Sequence, residues 1–116
     1  MIILLSTDVS LVKQLKKIDT LKVTYSLATC QDLLITKDME CNILILDYDI
    51  ISKHAIPLWD WIVEQNLFIR HILVYISDWE KQYQEFWENM HSRLDAAKYV
   101  NAIISKEKLI KAVESL

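Results

Sequence analysis

Two apolar stretches of this chain end on polar side chains that could do chemistry. The stretch NILIL runs into Asp47, and thirty residues later the stretch HILVYI runs into Ser77. In an open parallel sheet the carboxyl ends of the strands form the ligand crevice, so we expect Asp47 and Ser77 to lie side by side at its mouth. A carboxylate and a hydroxyl placed in this way are elements of a magnesium and phosphate site.

The first apolar stretch, MIILL, predicts that such a metal site is incomplete. It ends in Ser6 and Thr7, where a magnesium ion held near Asp47 would require two carboxylates. The pattern therefore indicates a phosphoacceptor scaffold without its metal site. The alternative is a working Asp47 that uses Asp8 and Asp49 as non-standard metal ligands.

A hydrolase triad built on Asp47 and Ser77 is disfavoured. The chain has no G-x-S-x-G motif, and its three histidines have no fixed spacing to either residue. These histidines are His54, His71 and His91. Because no nucleophile and base pair is recognisable, we expect no enzymatic activity.

Composition excludes several classes of protein. Hydrophobic residues make up 53% of the 116 residues, which excludes disorder, and the apolar runs are too short to span a bilayer. A net charge of -3 offers no electrostatic footprint for nucleic acid. The chain has no glycine, so the P-loop and the dinucleotide fingerprint are both impossible, and we expect no cofactor.

The amino terminus and the cysteines predict a cytoplasmic protein. The segment MIILLSTD lacks the basic region and the cleavage site of a secretion signal. Cys30 and Cys41 form neither a C-x-x-C motif nor a metal-binding spacing, which favours reduced thiols.

Strand and helix patterns alternate along the chain. The predicted strands are short and apolar: Ile2–Leu5, Val23–Leu27, Ile43–Leu46, Ile72–Ile76 and Tyr99–Asn101 with its neighbours. The first predicted helix carries Leu11, Leu15 and Ile18 on one side and has Asp8 or Ser10 as its cap. The other predicted helices cover Cys30–Asp38, Leu58–Val63, Trp79–Leu94 and the segment from the N-cap Ser105 to Leu116. Strands without polar alternation are typical of parallel sheets that are covered by helices. The pattern therefore predicts one α/β domain over residues 1–116, with a doubly wound five-stranded parallel sheet and helices on both faces.

In this order of elements the chain resembles the response-regulator receiver domain, the CheY-like (flavodoxin-like) fold, along essentially its whole length. The resemblance implies that Asp47 occupies the phosphoacceptor position. It also implies that Ser77 and Tyr99 occupy the positions of the switch hydroxyl and the switch aromatic. The spacing of Ser105 and Leu109 at the start of the last helix matches the family as well.

Two departures from the family pattern predict a pseudo-receiver. Ser6 and Thr7 replace the acidic pair that follows the first strand, and Asn101-Ala102 stands where receivers carry a lysine at the end of the fifth strand. Phosphoryl transfer depends on cations that neutralise the oxygens of the transferred group. A loss of about 4 kcal/mol of that stabilisation slows transfer roughly a thousandfold. We therefore expect Asp47 to be a vestigial acid that accepts hydrogen bonds from Ser6, Thr7 or Ser77.

The fourth predicted helix carries a wide aromatic stripe. Tyr83, Phe86 and Met90 fit core packing, whereas a second line fits either the core or a partner surface; it consists of Trp79, Tyr83, Trp87 and Leu94. The resemblance points to the face built from the fourth helix, the fifth strand with Tyr99 and the fifth helix as a dimerisation or partner surface. Lysines on the first helix are most simply a solvated face: Lys13, Lys16 and Lys17.

These features together predict a signalling module that acts through protein contacts without phosphorylation. It is either a stand-alone adaptor or the regulatory domain of an atypical response regulator or transcription factor in a two-component system. We expect no nucleic acid and no membrane to bind these residues.

Overall fold

The computed structural model describes residues 1–36, 41–52, 61–62, 64–65, 67, 69–91 and 102–115. The strands are β1 (Ile2–Leu5), β2 (Leu21–Thr24), β3 (Ile43–Asp47), β4 (His71–Ile76) and β5 (Ala102–Ser105). The helices are α1 (Val9–Leu15), α2 (Leu27–Leu34), α3 (Tyr48–Ile51), α4 (Trp79–His91) and α5 (Lys106–Glu114). Trp61 and Ile62, within the predicted helix Leu58–Val63, also have helical backbone, as does Glu64 just after it; Leu58 lies outside the described residues.

All five strands are parallel and pair in the order β2-β1-β3-β4-β5. This confirms the predicted flavodoxin-like sheet. The strand order reverses between β1 and β3, so the crevice lies at the carboxyl ends of these strands. The register pairs Leu5 with Leu46, and Asp47 with Tyr75.

The buried residues of the strands are divided between two separate hydrophobic clusters. Ile3 and Leu5 of β1 pack with Cys30 of α2 and Phe86 of α4. Their neighbours Ile2 and Leu4 belong to the other cluster, which includes buried residues of α1 and α5: Leu11, Leu15, Leu109 and Val113. Side chains along a strand point alternately to opposite faces, and β1 and β3, which are buried on both, are therefore apolar along nearly their whole length.

Local capping moves several predicted boundaries. The predicted strand Val23–Leu27 is wrong at both ends. Strand β2 already begins at Leu21, and it stops at Thr24 because Ser26 accepts a hydrogen bond from the Thr29 N–H at 3.2 Å and caps α2. Helix α2 therefore starts earlier than the predicted Cys30–Asp38. Of the two predicted caps, Asp8 and Ser10, Asp8 is the N-cap of α1, and α3 is a short helix that the pattern did not indicate.

The fifth strand lies further along the chain than predicted. It covers Ala102–Ser105, and Ser105 is the N-cap of α5 as expected, although its side chain makes no capping hydrogen bond. Tyr99, Asn101 and Leu94 lie outside the described residues. In the described part of the chain, no helix combines the length and the apolar character that a membrane span requires.

Candidate functional site

Asp47 is a buried acid whose two carboxylate oxygens both accept hydrogen bonds. It is 3% exposed, and it ends β3 and caps α3. Its Oδ1 accepts from the N–H of Asp49 at 2.9 Å, and its Oδ2 accepts from the Ser6 hydroxyl at 3.0 Å. Of the three hydroxyls predicted as partners, Ser6 is therefore the one that binds Asp47.

Ser6 connects the ends of β1 and β3. The strand register places it one residue beyond the pair Leu5 and Leu46, at the level of Asp47. It is fully buried, and its Oγ also accepts the N–H of Asp8 at 3.0 Å. Ser6 thus places a buried hydroxyl beside Asp47, whereas Thr7 is exposed.

Asp8 forms an ion pair with Lys106 at the other side of the crevice. The Lys106 Nζ lies 3.0 Å from Oδ2 and 3.2 Å from Oδ1 of Asp8. The buried Tyr75 donates its hydroxyl to the same Oδ2 at 3.0 Å, and the Leu11 N–H donates to Oδ1 at 3.1 Å. One carboxylate therefore joins α1, β4 and the start of α5.

Lys106 corrects the prediction that a cation is missing at the end of the fifth strand. Because β5 covers Ala102–Ser105, Lys106 is the residue that follows it, and Ala102 begins the strand. The mostly apolar segment YVNAII is compatible with a strand over its first half, as predicted, or over its second half. Pairing of Leu73 with Ala102 and of Ile76 with Ser105 decides for the later position.

The pKa values of the two acids shift in opposite directions. Burial raises the pKa of Asp47, and its two hydrogen bonds offset this only in part, while the nearby carboxylates of Asp49 and Asp8 add to the rise. Burial alone would raise the pKa of Asp8 too. Hydrogen bonds from Lys106, Leu11, Tyr75 and Ser10 outweigh it and lower the pKa of Asp8 to about 2. Asp8 is therefore an anion at physiological pH.

Tyr75 remains a hydrogen-bond donor to this anion. Burial, followed by the negative charges of Asp47 and Asp8, raises the pKa of its phenol. The residue is 1% exposed and stands opposite Asp47 in the register of β3 and β4.

The Ser77 hydroxyl hydrogen-bonds to Asp49, the acid two residues after the Asp47 beside which it was predicted to lie. The Ser77 Oγ lies 3.1 Å from Oδ2 of Asp49, and Gln82 of α4 donates its amide to the same carboxylate. Since Asp47 is level with Tyr75, Ser77 stands two residues further along and reaches the next acid.

The alternative metal ligands do not form a binding group. Within the described ranges, no three histidine, cysteine or acidic side chains are arranged to hold a metal ion. Asp8 faces the ammonium of Lys106, and Asp49 faces Ser77 and Gln82.

The aromatic residues of α4 divide into a buried and an exposed group. Phe86 is 3% exposed and contacts Tyr48 edge-on, with the ring centroids 5.8 Å apart. Trp79 and Tyr83 are 37% and 39% exposed, and their rings stack at 4.7 Å with an interplanar angle of 25°. Three other side chains of the predicted interface, Trp87, Leu94 and Tyr99, lie outside the described part of the structure. The same holds for the side chain of Met90, which was predicted to lie in the core.

Sequence reasoning missed Tyr75 and Lys106. A signal existed for Lys106, because the lysine directly follows the apolar run AIIS and precedes a helical pattern. Tyr75 gave no signal of its own, since it reads as one more apolar strand residue.

No family model, curated protein or solved structure matches this chain. The receiver resemblance therefore remains a proposal that depends on the fold and on the crevice.

Proposed function

We propose that this chain is a pseudo-receiver, a signalling module of the cytoplasm that binds a partner protein without being phosphorylated. The observation that carries the proposal is the state of Asp47. Both of its oxygens accept hydrogen bonds from within the chain, and only 3% of the residue is exposed. An acyl phosphate at this position would have to displace the Ser6 or the Asp49 contact.

The charges near Asp47 support the same proposal. A receiver neutralises the transferred phosphoryl group with a metal ion and a lysine. In this crevice the Lys106 ammonium is bound to Asp8, and Ser6 supplies a neutral hydroxyl at the metal side. The Lys106 ammonium thus already has a carboxylate of the chain as its partner.

The exposed aromatic residues of α4 support the partner-binding part of the proposal. Exposed tryptophan and tyrosine side chains are enriched at interface hot spots. Trp79 and Tyr83 lie in the first turns of the helix that follows β4, which corresponds in order to the helix where receivers bind their partners.

Treatment with a small phosphodonor and Mg²⁺ tests the proposal. We expect the intact mass of the protein to stay unchanged, while an active receiver treated in parallel gains a phosphoryl group. A Mg²⁺ titration followed by tryptophan fluorescence should likewise give no response.

The presence of Lys106 after β5 favours a second candidate, an active receiver with unusual metal ligands. This candidate predicts a phosphoryl adduct that requires Mg²⁺ and disappears in the Asp47→Ala variant. Observation of that adduct would overturn the pseudo-receiver proposal.

A further inference from the structure

We infer that the stacked pair of Trp79 and Tyr83 binds a basic segment of another protein, one that places arginine or lysine next to an apolar side chain. This inference rests on the proposed function and names the chemistry of its partner. It is carried by three properties of this surface: aromatic exposure, rigid placement and negative charge.

The aromatic pair offers a preformed flat surface. The two side chains stand four residues apart on one side of α4, and their rings already stack. More than a third of each residue is exposed. The face of an indole or phenol ring attracts a guanidinium or ammonium group, and its hydrocarbon surface accepts an apolar neighbour.

Hydrogen bonds hold the first turns of α4 in place. The Gln82 amide donates to Asp49, and its Oε1 accepts the N–H of Asp78 at 3.1 Å. Further along, the hydroxyl of Tyr48 donates to Glu85 at 3.2 Å. The helix is thus fixed to the residues that follow β3. Because this surface is already ordered, little conformational entropy is lost from it when a partner binds.

Acidic residues outnumber basic residues in the segment that carries the pair. Between residues 78 and 88 the chain carries four acids and one base, which are Asp78, Glu80, Glu85, Glu88 and Lys81. Glu80 is exposed and stands three positions before Tyr83, on the same side of the helix. The exposed Asp49 adds a further negative charge at the start of α4. A basic partner complements this surface.

The same charges disfavour a symmetric dimer through α4. A two-fold contact would place the acidic surface of one copy against that of the other, and like charges across an interface are costly. The occupant is therefore a different protein. A second copy that offers Lys13 and Lys16, at the end of α1, is the rival occupant, and a test of self-association separates the two.

Two synthetic helical peptides of equal length and leucine content test the inference, one with arginines and one with glutamates at its polar positions. We expect the arginine peptide to bind, to shift the NMR signals of the Trp79 indole and the Tyr83 backbone amide, and to bind more weakly as salt rises. The glutamate peptide should not bind. Trp79→Ala should abolish binding while the melting temperature stays near that of the parent protein.

A matched pair of charge reversals separates this surface from general attraction to an acidic protein. Glu80 and Glu107 are both exposed and both lie in the first turn of a helix, on α4 and α5 respectively. Glu80→Lys should weaken binding of the arginine peptide by about fivefold or more, and Glu107→Lys by less than about twofold.

Three outcomes would overturn the inference: equal weakening by the two reversals, binding of the glutamate peptide, or no binding of the arginine peptide. Self-association that is lost in both Glu80→Lys and Lys16→Glu would instead assign the surface to a second copy. None of these results bears on phosphorylation. A phosphoryl adduct on Asp47, in turn, would end the pseudo-receiver proposal whatever the peptides do.

Discussion

Asp47 and Asp8 lie in the same crevice, and their surroundings shift their pKa values in opposite directions. Asp47 is buried with neutral donors and with other acids nearby, which makes its charge unfavourable. Asp8 has an ammonium group, a phenol and a backbone N–H as donors, which stabilise its charge. The fold thus keeps one acid as a structural hydrogen-bond acceptor and the other as half of an ion pair.

The lowered pKa of Asp8 predicts a loss of stability in acid. Because the folded-state value is about 2 and the ordinary value is 3.8, the ionised group stabilises the fold fully above pH 3.8, and the effect is lost as pH falls through about 2. This difference corresponds to about 2 kcal/mol. Asp8→Asn should lower the free energy of unfolding by about that amount at neutral pH, since Asn still caps a helix. Urea unfolding at several pH values measures it.

A double-mutant cycle with Lys106→Met checks the cause. If the ion pair produces the effect, the second substitution adds little once Asp8 is Asn. Asp19→Asn serves as the control, because Asp19 is an exposed acid near the other end of α1. A cycle in which the two effects simply add would contradict the assignment.

For Asp47 the sign of the pH effect is reversed. Burial raises its pKa, so the charged form costs stability at neutral pH, and this cost decreases as pH falls through the folded-state pKa. Asp47→Asn keeps an oxygen for the Asp49 N–H and places an amide next to the Ser6 hydroxyl. We expect the free energy of unfolding to stay the same or to rise slightly in a urea titration.

Ser6→Ala is the informative companion to that substitution. It leaves one buried oxygen of Asp47 without its donor, which should lower the free energy of unfolding by about 1–3 kcal/mol. A loss of more than about 2 kcal/mol in Asp47→Asn would reveal a network that depends on the negative charge.

At the scale of the secondary-structure elements, α4 has one side in the core and one side that is exposed. Phe86 packs in the cluster that contains residues of β1, β3 and β4, whereas Trp79 and Tyr83 stay partly in contact with solvent. The helix therefore serves both stability and, in the proposed function, binding.

Alanine substitutions should separate these two roles. Phe86→Ala removes a buried ring and should lower the free energy of unfolding by about 3–5 kcal/mol. Trp79→Ala removes an exposed ring and should lower it by less than about 1 kcal/mol. Chemical denaturation of both variants under the same conditions measures the difference. Equal losses would mean that Trp79 contributes to the core as much as Phe86 does.

At the scale of the whole molecule, the two thiols report on the integrity of the fold. Cys30 is fully buried and Cys41 is partly buried, and burial raises the pKa of each thiol to about 11. Since the thiolate is the reactive form, both should resist iodoacetamide in the native protein and react readily in urea. Mass spectrometry after timed labelling measures this. If Cys41 alone is labelled fast while the protein keeps its native spectrum, the structure opens locally around that residue.

The sequence alone determined the fold class and the approximate position of most elements. The apolar runs that became β1, β3 and β4 need burial along their whole length, which a helix-covered parallel sheet provides. Asp8 was one of two candidate caps, and Asp47 was identified as a strand-end acid, because both roles depend on neighbouring residues. Such features are local, so they can be predicted without knowledge of the rest of the chain.

Only the tertiary structure decided which polar side chains meet. Strand register placed Ser77 next to Asp49 and set Lys106, 98 residues away in the chain, against Asp8. Because β5 lies a few residues further along the chain than predicted, the sequence pattern did not place that lysine at the end of the strand. The register depends on the packing of the whole sheet against its helices, and a single strand carries too little information to set it.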